Sequence, residues 1–320
     1  MKDDLLSVRL KSISFETGDI SSFVLVAPDG SRLPLLTAGA HIDLHLGGGL
    51  IRSYSLLNDP SERHRYVIAV KREPEGRGGS AAIHDHLKVG DILSISQPRN
   101  NFPFHEEVQH SVFIAGGIGI TPILSMARRA SALGRDWELH YVTRTRAHAA
   151  FLAELEQLRS RSNGKLHVVH NQEPGAVMID IAKLVADAPP DAHLYCCGPV
   201  QMLDAFERAA KSRPAGTTHV EYFIARQAPS TAGGFEVRLA RSNRTVAIEP
   251  GKTILDALLD AGVPVAYSCS EGICGTCEAV VIEGIPDHRD LYLSDEEKAA
   301  NRQIMICCSG SKSPVLVLDL

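Results

Sequence analysis

Three cysteines fall within nine residues near the C-terminal end of the chain: Cys269, Cys274 and Cys277, in the run CSEGICGTC. The spacing is C-x4-C-x2-C, and MICCSGSK supplies a further thiol from Cys307 or Cys308. Few patterns constrain a chain so tightly, because one short loop must aim three thiolates at a point that a distant strand also reaches. Four soft anionic ligands in one small volume, at this spacing, hold a [2Fe–2S] cluster. Gly272 and Gly275 lie inside the loop. There they permit positive φ and let backbone N–H groups approach the sulfurs, contacts that tune a cluster's potential. Zinc loops come as two separated short pairs. Disulfide frameworks belong to secreted chains, and nothing here marks secretion. A cysteine that follows two apolar residues and precedes a small residue and serine is the expected fourth ligand. That favours Cys307, with Cys308 left open because either neighbour on a short strand can reach.

The chain has 320 residues, room for two or three domains, and 44% of them are hydrophobic. Its net charge of −5 argues against nucleic acid and anionic membranes as partners. The start, MKDDLLSVRL, lacks the basic and apolar regions of a signal peptide, and no apolar run approaches a membrane span. Cys196, Cys197 and one of the 307/308 pair are left over from the cluster, as a reducing cytoplasm allows.

Residues 1–105 alternate apolar and polar over short stretches such as SFVLVAP (22–28), HIDLHL (41–46), RYVIAVK (65–71) and DILSISQP (91–98). With one helical insert near 80–88, this predicts an antiparallel β-barrel. In residues 106–226 the apolar runs SVFIAGG, ELHYVTR, KLHVVHN and AHLYCCG alternate with helical stretches at 122–133, 147–160, 178–187 and 199–211. That alternation predicts a parallel sheet with covering helices, an α/β domain. QAPSTAGG (227–234) reads as a flexible linker. In 235–320 a hairpin (FEVRLARSNRTVAIEP), a helix ending at Gly262, the cysteine loop and the strand PVLVLDL fit a β-grasp module.

Two glycine-rich runs fall where anions bind. VFIAGGIGITPILSM passes from a strand into a helix, where a parallel sheet meets a dinucleotide. It departs from GxGxxG, since Pro122 stands where the last glycine would be. Thr121 is expected to cap the helix and Pro122 to open it, leaving the positive helix end to a pyrophosphate. A tight turn is the ordinary alternative. Cys197-Gly198-Pro199 ends another buried strand at the same edge; Cys196 reads as a structural cysteine and Cys197 as a functional one. In the barrel, RSYSL places Arg52 and Tyr54 on one face and Ser53 and Ser55 on the other. An arginine holds phosphate, a tyrosine covers a flat ring, and Gly78-Gly79-Ser80 before a helix makes an anion nest. The plain alternative is an exposed strand and a hairpin tip.

Taken together, the chain resembles the reductase components of two-component Rieske oxygenases, of the phthalate dioxygenase reductase and vanillate O-demethylase reductase type. RSYS, GGIGITP with CCGP, and CSEGICGTC with MICCS carry the resemblance in order, over the whole length. PDHRD (286–290) and the terminal LVLDL are further matches. One departure is SGSK (309–312), where the family more often has arginine after the serine.

The resemblance implies FMN, NADH and a plant-type ferredoxin domain. It implies that Arg52 and Gly78–Ser80 hold the flavin phosphate, that Tyr54 and Ser55 approach the isoalloxazine with Ser55 near N5, that Ser53 belongs to the same cofactor site, and that Val70, Lys71 and Arg72 line the flavin. By the same resemblance Gly116, Gly117, Gly119, Thr121, Pro122, Cys197, Gly198 and Pro199 bind pyridine nucleotide. Phe223 would sit near the flavin or nicotinamide, with Glu221 helping to position it. Ser55, Cys197 and Phe223 would be catalytic, and Cys269, Cys274, Cys277 and Cys307 would hold the metal. Electrons would run from NADH through FMN to the cluster and on to a Rieske oxygenase acting on an aromatic compound, with the reductase a cytoplasmic monomer. Arg144 and Arg146 are a possible basic pocket for NADPH, set against the family's preference for NADH. The alternatives are a reductase for another acceptor, a flavohaem-like or nitrite reductase, or a non-enzymatic carrier. The aromatic substrate is not written in the chain.

Overall fold

β-Branched and aromatic residues in alternation build the first sheet. Its strands are β1 (Leu6–Phe15), β2 (Ile20–Val26), β3 (His41–His45), β4 (Ile51–Ser55), β5 (Tyr66–Lys71) and, after helix α1 (Gly79–His86), β6 (Ile92–Ile95). The order is β4-β3-β6-β1-β2-β5, every pairing antiparallel. The sheet curls until its end strands lie side by side, and the Leu57 N–H donates to the Val67 carbonyl across the seam. Val8, Leu10, Phe23, Leu25, Ile42, Tyr66, Ile68 and Ile95 fill the interior. These details come from a computed structural model, which describes residues 5–47, 49–74, 76 and 78–320. Residues 1–4 of the stretch read for a leader, and Arg77 of the glycine loop, lie outside the described residues.

The chain next switches to strand–helix alternation: β7 (His110–Gly116), α2 (Ile120–Ala132), β8 (Asp136–Thr143), α3 (Leu152–Ser160), β9 (Lys165–His170), α4 (Ile181–Asp187), β10 (His193–Cys197), α5 (Val200–Ala210) and β11 (Thr218–Glu221). These five strands run parallel in the order β11-β10-β7-β8-β9. The order reverses at β7, so β7 and β10 part at a switch point where an α/β sheet opens a crevice. α3 starts later than the apolar pattern suggests. Arg146–His148 form a 3-10 turn and Phe151 sits at φ 61, a left-handed break that postpones the helix to Leu152. The two sheets share one apolar core in which Phe102, Phe104, Phe113 and Tyr195 pack together. That shared core makes residues 1–221 one compact unit.

Residues 222–320 form the second unit. β12 (Phe235–Leu239) and β13 (Arg244–Ile248) make the expected hairpin, with Asn243 left-handed in its turn. α6 (Ile254–Asp260) opens on a capping box of Thr253 and Asp256, and Gly262 at φ 70 stops it. Then come β14 (Glu278–Glu283), β15 (Pro286–Asp287), α7 (Asp295–Ala300), β16 (Gln303–Met305), β17 (Gly310–Ser311) and β18 (Val315–Leu318). The main sheet runs β13-β12-β18-β14-β16, with β18 parallel to β12. The pattern reading passed over α7, although Ser294 and Glu297 form a second capping box. The stretch 227–234 is not the loose tether its composition suggests. The Ser230 N–H donates to the Cys308 carbonyl at 2.7 Å, Gly251 to Thr231 at 2.8 Å and Gly234 to Ile248 at 2.8 Å. Among the described residues no helix is long and apolar enough to cross a membrane.

At the switch point the chain crosses itself almost backbone to backbone. A Cβ on Gly119 would lie 2.3 Å from the Cys197 carbonyl oxygen, and one on Gly116 2.5 Å from Pro199 Cδ. Gly119→Ala is expected to destabilise the protein by about 1–3 kcal/mol through overpacking. Urea unfolding followed by the near-UV signal of the buried Trp137 checks this.

Candidate functional site

β4 pairs with β3 so that Ser53 lies opposite Asp43. The Ser53 hydroxyl donates to Asp43 Oδ1 at 2.7 Å, and buried Asp43 is paired with Arg99. Ser53 therefore serves the barrel's own polar network. Arg52, one residue back, turns to the opposite face and lies across the start of α1. A Cβ on Gly79 would come within 2.6 Å of Arg52 Cγ and Nε. α1 begins after Gly78 (φ 76), and no side chain caps its first N–H groups. Arg52 thus lies beside the uncapped N-terminus of α1 at Gly78 and Gly79, an arrangement suited to an anion.

Ser80 is turned back toward the loop, where its Oγ accepts the Glu73 N–H at 3.0 Å. Lys71 is ion-paired with Glu73, and Arg72 is paired with Asp85, Nη2 to Oδ2 at 3.0 Å. Val70 is a barrel-core side chain whose carbonyl accepts His84 Nε2–H at 2.9 Å. Tyr54 packs against the barrel core, and burial pushes its phenol up to about 12, so it stays neutral. Ser55, buried, closes β4 opposite His41.

At the other sheet, the ends of β7 and β10 bring Gly116–Gly119 against Cys197–Pro199. Gly116, Gly119 and Gly198 are glycine because the two loops touch. Gly117 differs: at φ 54, its missing side chain faces open space, so a ligand can meet bare backbone there. Thr121 does not cap α2. It lies inside the first turn, buried, and its hydroxyl donates to the Ile118 carbonyl at 3.0 Å. The N-cap is Gly119, with no side-chain bond, and the 3-10 turn Gly117–Gly119 ahead of it accepts the Ile120 N–H. Pro122 is the third helical residue rather than the first, still in the turn where a missing N–H costs nothing.

Register places Cys197 beside Glu221 at the ends of β10 and β11. Cys197 Sγ lies 4.0 Å from Glu221 Oε2. Burial pushes the Glu221 carboxyl up to about 8, and burial followed by Glu221 raises the Cys197 thiol. At neutral pH this end of the sheet therefore presents two uncharged, protonated groups. Phe223 follows β11 in the segment that begins the second unit, with 38% of its surface exposed.

In the second unit the cysteine loop turns through Ser270, Gly272 and Gly275, all at positive φ. Gly272 is required by packing, since a Cβ there would lie 2.4 Å from Cys308 Sγ, and one on Gly275 would strike the Tyr292 ring at 2.4 Å. The Glu271 N–H donates to Cys269 Sγ at 3.3 Å, and Cys274 Sγ lies 3.2 Å from Thr276 Oγ1. Cys274 is pushed up first by its contact with Cys269, and Cys277 first by its contact with Cys307, with burial adding to both. Cys269 is lowered by Cys274, but Cys307 and burial outweigh that and leave it raised. Cys308 Sγ packs behind the loop at Gly272, with the Met305 carbonyl and Ser309 Oγ as its polar neighbours.

Thiols crowded this way resist becoming thiolates unless positive charge lies among them. A pair of iron ions supplies that charge, so the donor set fits a two-iron cluster. Beneath the loop, the Leu291 N–H donates to the Gly272 carbonyl at 2.9 Å, and buried Asp290 accepts the Leu293 N–H at 2.8 Å. Asp290, the last residue of PDHRD, and Leu291 after it therefore support the cysteine loop, a role the sequence does not announce.

A curled antiparallel sheet with an anion cradle, a parallel sheet with a glycine edge, and a thiol-lined β-grasp module define a flavin- and iron–sulfur-containing oxidoreductase. Family comparisons agree. The oxidoreductase FAD-binding domain matches residues 7–104, the oxidoreductase NAD-binding domain 113–208, and the 2Fe-2S iron-sulfur cluster binding domain 237–311. The chain is 53% identical to phenoxybenzoate dioxygenase subunit beta of Ectopseudomonas oleovorans, over 98% of this chain and 97% of the relative. It is 48% identical to tetrachlorobenzoquinone reductase of Sphingobium chlorophenolicum, over 98% of each. The solved structure of phthalate dioxygenase reductase superposes with a TM-score of 0.78 at 41% identity, covering 100% of this chain and 99% of that one. An intact type IV self-sufficient cytochrome P450 monooxygenase matches over 99% of this chain (TM-score 0.83, 38% identity), which spans only 41% of that longer one. The chain belongs to the family of oxygenase reductases that includes phthalate dioxygenase reductase and vanillate O-demethylase oxidoreductase.

The raised Glu221 carboxyl has a consequence for stability. A folded-state value near 8 against an ordinary 4.5 means that the folded chain keeps a proton the unfolded chain gives up. The resulting stabilisation is full below pH 4.5 and is lost as pH rises toward 8. Between pH 6 and 8 wild type is expected to lose unfolding free energy relative to Glu221→Gln. Paired denaturant titrations at the two pH values measure the difference.

Proposed function

We propose that this chain is the NADH-dependent reductase of a two-component oxygenase, passing electrons through FMN and a [2Fe–2S] cluster to a Rieske-type partner that oxidises an aromatic compound. The observation that carries the reading is the gathering of Cys269, Cys274, Cys277 and Cys307 around one another while Cys308 packs behind the loop at Gly272. Those four are the cluster ligands in this reading. Arg52, Gly78 and Gly79 hold the flavin phosphate, and the compactness of that cradle supports FMN. Tyr54 and Ser55 meet the flavin ring. Gly117 and the N-terminus of α2 receive the pyrophosphate. Cys197 approaches the nicotinamide, and Phe223 covers the flavin or nicotinamide.

With these groups bound, a hydride's two electrons enter together at the flavin and leave singly by the cluster. The chain's own part is placement. Neutral Cys197 and Glu221 put no fixed charge at the nicotinamide end, and the N-terminus of α2 anchors the phosphates. Support for NADH comes from Glu173, whose carboxylate accepts the Arg146 N–H at 2.7 Å and sets negative charge beside a pocket that a 2′-phosphate would need basic. The protein acts as a monomer in the cytoplasm in this reading. The relative named as a quinone reductase supports a second acceptor class, a small quinone, under the same chemistry.

Purified protein is expected to show flavin and iron–sulfur absorption that bleaches with NADH; a colourless zinc protein would sink the assignment. Cys274→Ser and Cys307→Ser should abolish electron delivery to cytochrome c or an oxygenase while flavin reduction by NADH survives. Cys308→Ser should keep the cluster spectrum. Equal loss in the 307 and 308 variants would overturn the choice of fourth ligand. Steady-state kcat/KM should favour NADH over NADPH, and replacing Glu173 by glutamine should narrow the ratio.

A further inference from the structure

At the end of the parallel sheet away from the nucleotide edge, three imidazoles meet from three separate segments. His193 opens β10, His219 lies on β11 next to Tyr195, and His105 belongs to the segment that leads from the barrel into β7. We propose that His105, His193 and His219 form a binding site for a divalent transition metal of the zinc class.

One ligand atom from each histidine lies within 4.8 Å of the other two, and all three side chains are half-buried. Zinc–imidazole bonds of about 2.0–2.1 Å require the rings to turn so that their in-plane lone pairs converge on one ion. Without metal the rings stack, His105 on His219 at 4.8 Å and His219 on Tyr195 at 4.5 Å between centroids, and binding would open the His105–His219 stack. His219 Nε2 and His193 Nδ1 lie 3.0 Å apart, sharing one proton between two nitrogens that a metal would take over. Glu107 Oε1 sits 3.1 Å from His105 Nδ1, the carboxylate that commonly orients a metal-bound imidazole through its other nitrogen. The His105 N–H donates to the Tyr195 hydroxyl at 3.0 Å, fixing the third ligand's backbone over the sheet. Burial, followed by the other histidines, lowers His193 and brings His219 down to about 4, so both offer neutral nitrogens at pH 7. The nearby cation Arg213 is engaged with the carbonyls of Ala188, Pro189 and Ala192. Imidazole-only ligation suits zinc, copper or nickel rather than magnesium or calcium.

Glu138, His140 and His167 form a rival cluster. There one carboxylate oxygen already lies 2.8 Å from His140 Nε2 and 3.3 Å from His167 Nε2, so a metal would have to displace both of those contacts.

Bound metal would pin the 105 segment to β10 and β11 and stabilise the unit by mass action. The test is equilibrium dialysis of the holoenzyme against micromolar zinc, with flavin and iron content followed to show that the cofactors stay in place. Wild type and His167→Gln should take up one zinc per chain and gain in thermal midpoint. His193→Gln and His219→Gln should bind zinc at least about tenfold more weakly and gain nothing. His105→Gln, which lies outside the strands, serves where either strand variant fails to fold. No uptake by wild type, uptake that survives these substitutions, or loss only in His167→Gln would overturn the site.

Discussion

Crowded sulfur is the constraint on which the C-terminal module is built. Cys269, Cys274, Cys277 and Cys307 crowd together, and contact with neighbouring thiols pushes Cys274 and Cys277 up, away from the thiolate. The surrounding architecture holds that unfavourable arrangement. Left-handed Gly272 and Gly275 turn the loop without side chains in the way, Asp290 and Leu291 support it from beneath, and β16 delivers Cys307. A loop so strained in composition makes sense only if positive charge is added to its centre, as two iron ions add it.

In the N-terminal unit the governing contact is of another kind. The loops after β7 and β10 approach until backbone meets backbone, and glycine is what permits it. At the same sheet edge, burial raises both Cys197 and Glu221 away from charge. Stability and chemistry are therefore bound together at that edge. An unsatisfied preference of Glu221 for water is tolerated where a neutral wall is useful, in keeping with perturbed groups clustering at functional sites.

Much of this was legible in the residues. Period-two alternation gave away the barrel, strand–helix alternation the parallel sheet, and cysteine spacing the cluster loop, because each signal is local. What residue type alone does not carry is the partner a side chain finds. Thr121 reads as a cap, but its hydroxyl bonds back to Ile118 inside the first turn. Ser53 meets Asp43 across the sheet, and Lys71 and Arg72 pair with Glu73 and Asp85. Strand pairing sets His193 beside His219, and the segment entering β7 adds His105, three residues far apart in the chain that carry no motif.

The bonds that fasten residues 227–234 bear on how such proteins are assembled from parts. Ser230 reaches the backbone of Cys308, next to a thiol of the cluster loop, and Gly234 and Thr231 tie into the turn after β13. What looks like a hinge by composition is therefore the leading edge of the ferredoxin module itself. A recombination event that joined the module at residue 235 would sever the strap behind its own iron site. One that carried the strap along would transplant a complete electron port. The natural seam for shuffling this module among longer chains lies upstream of the strap.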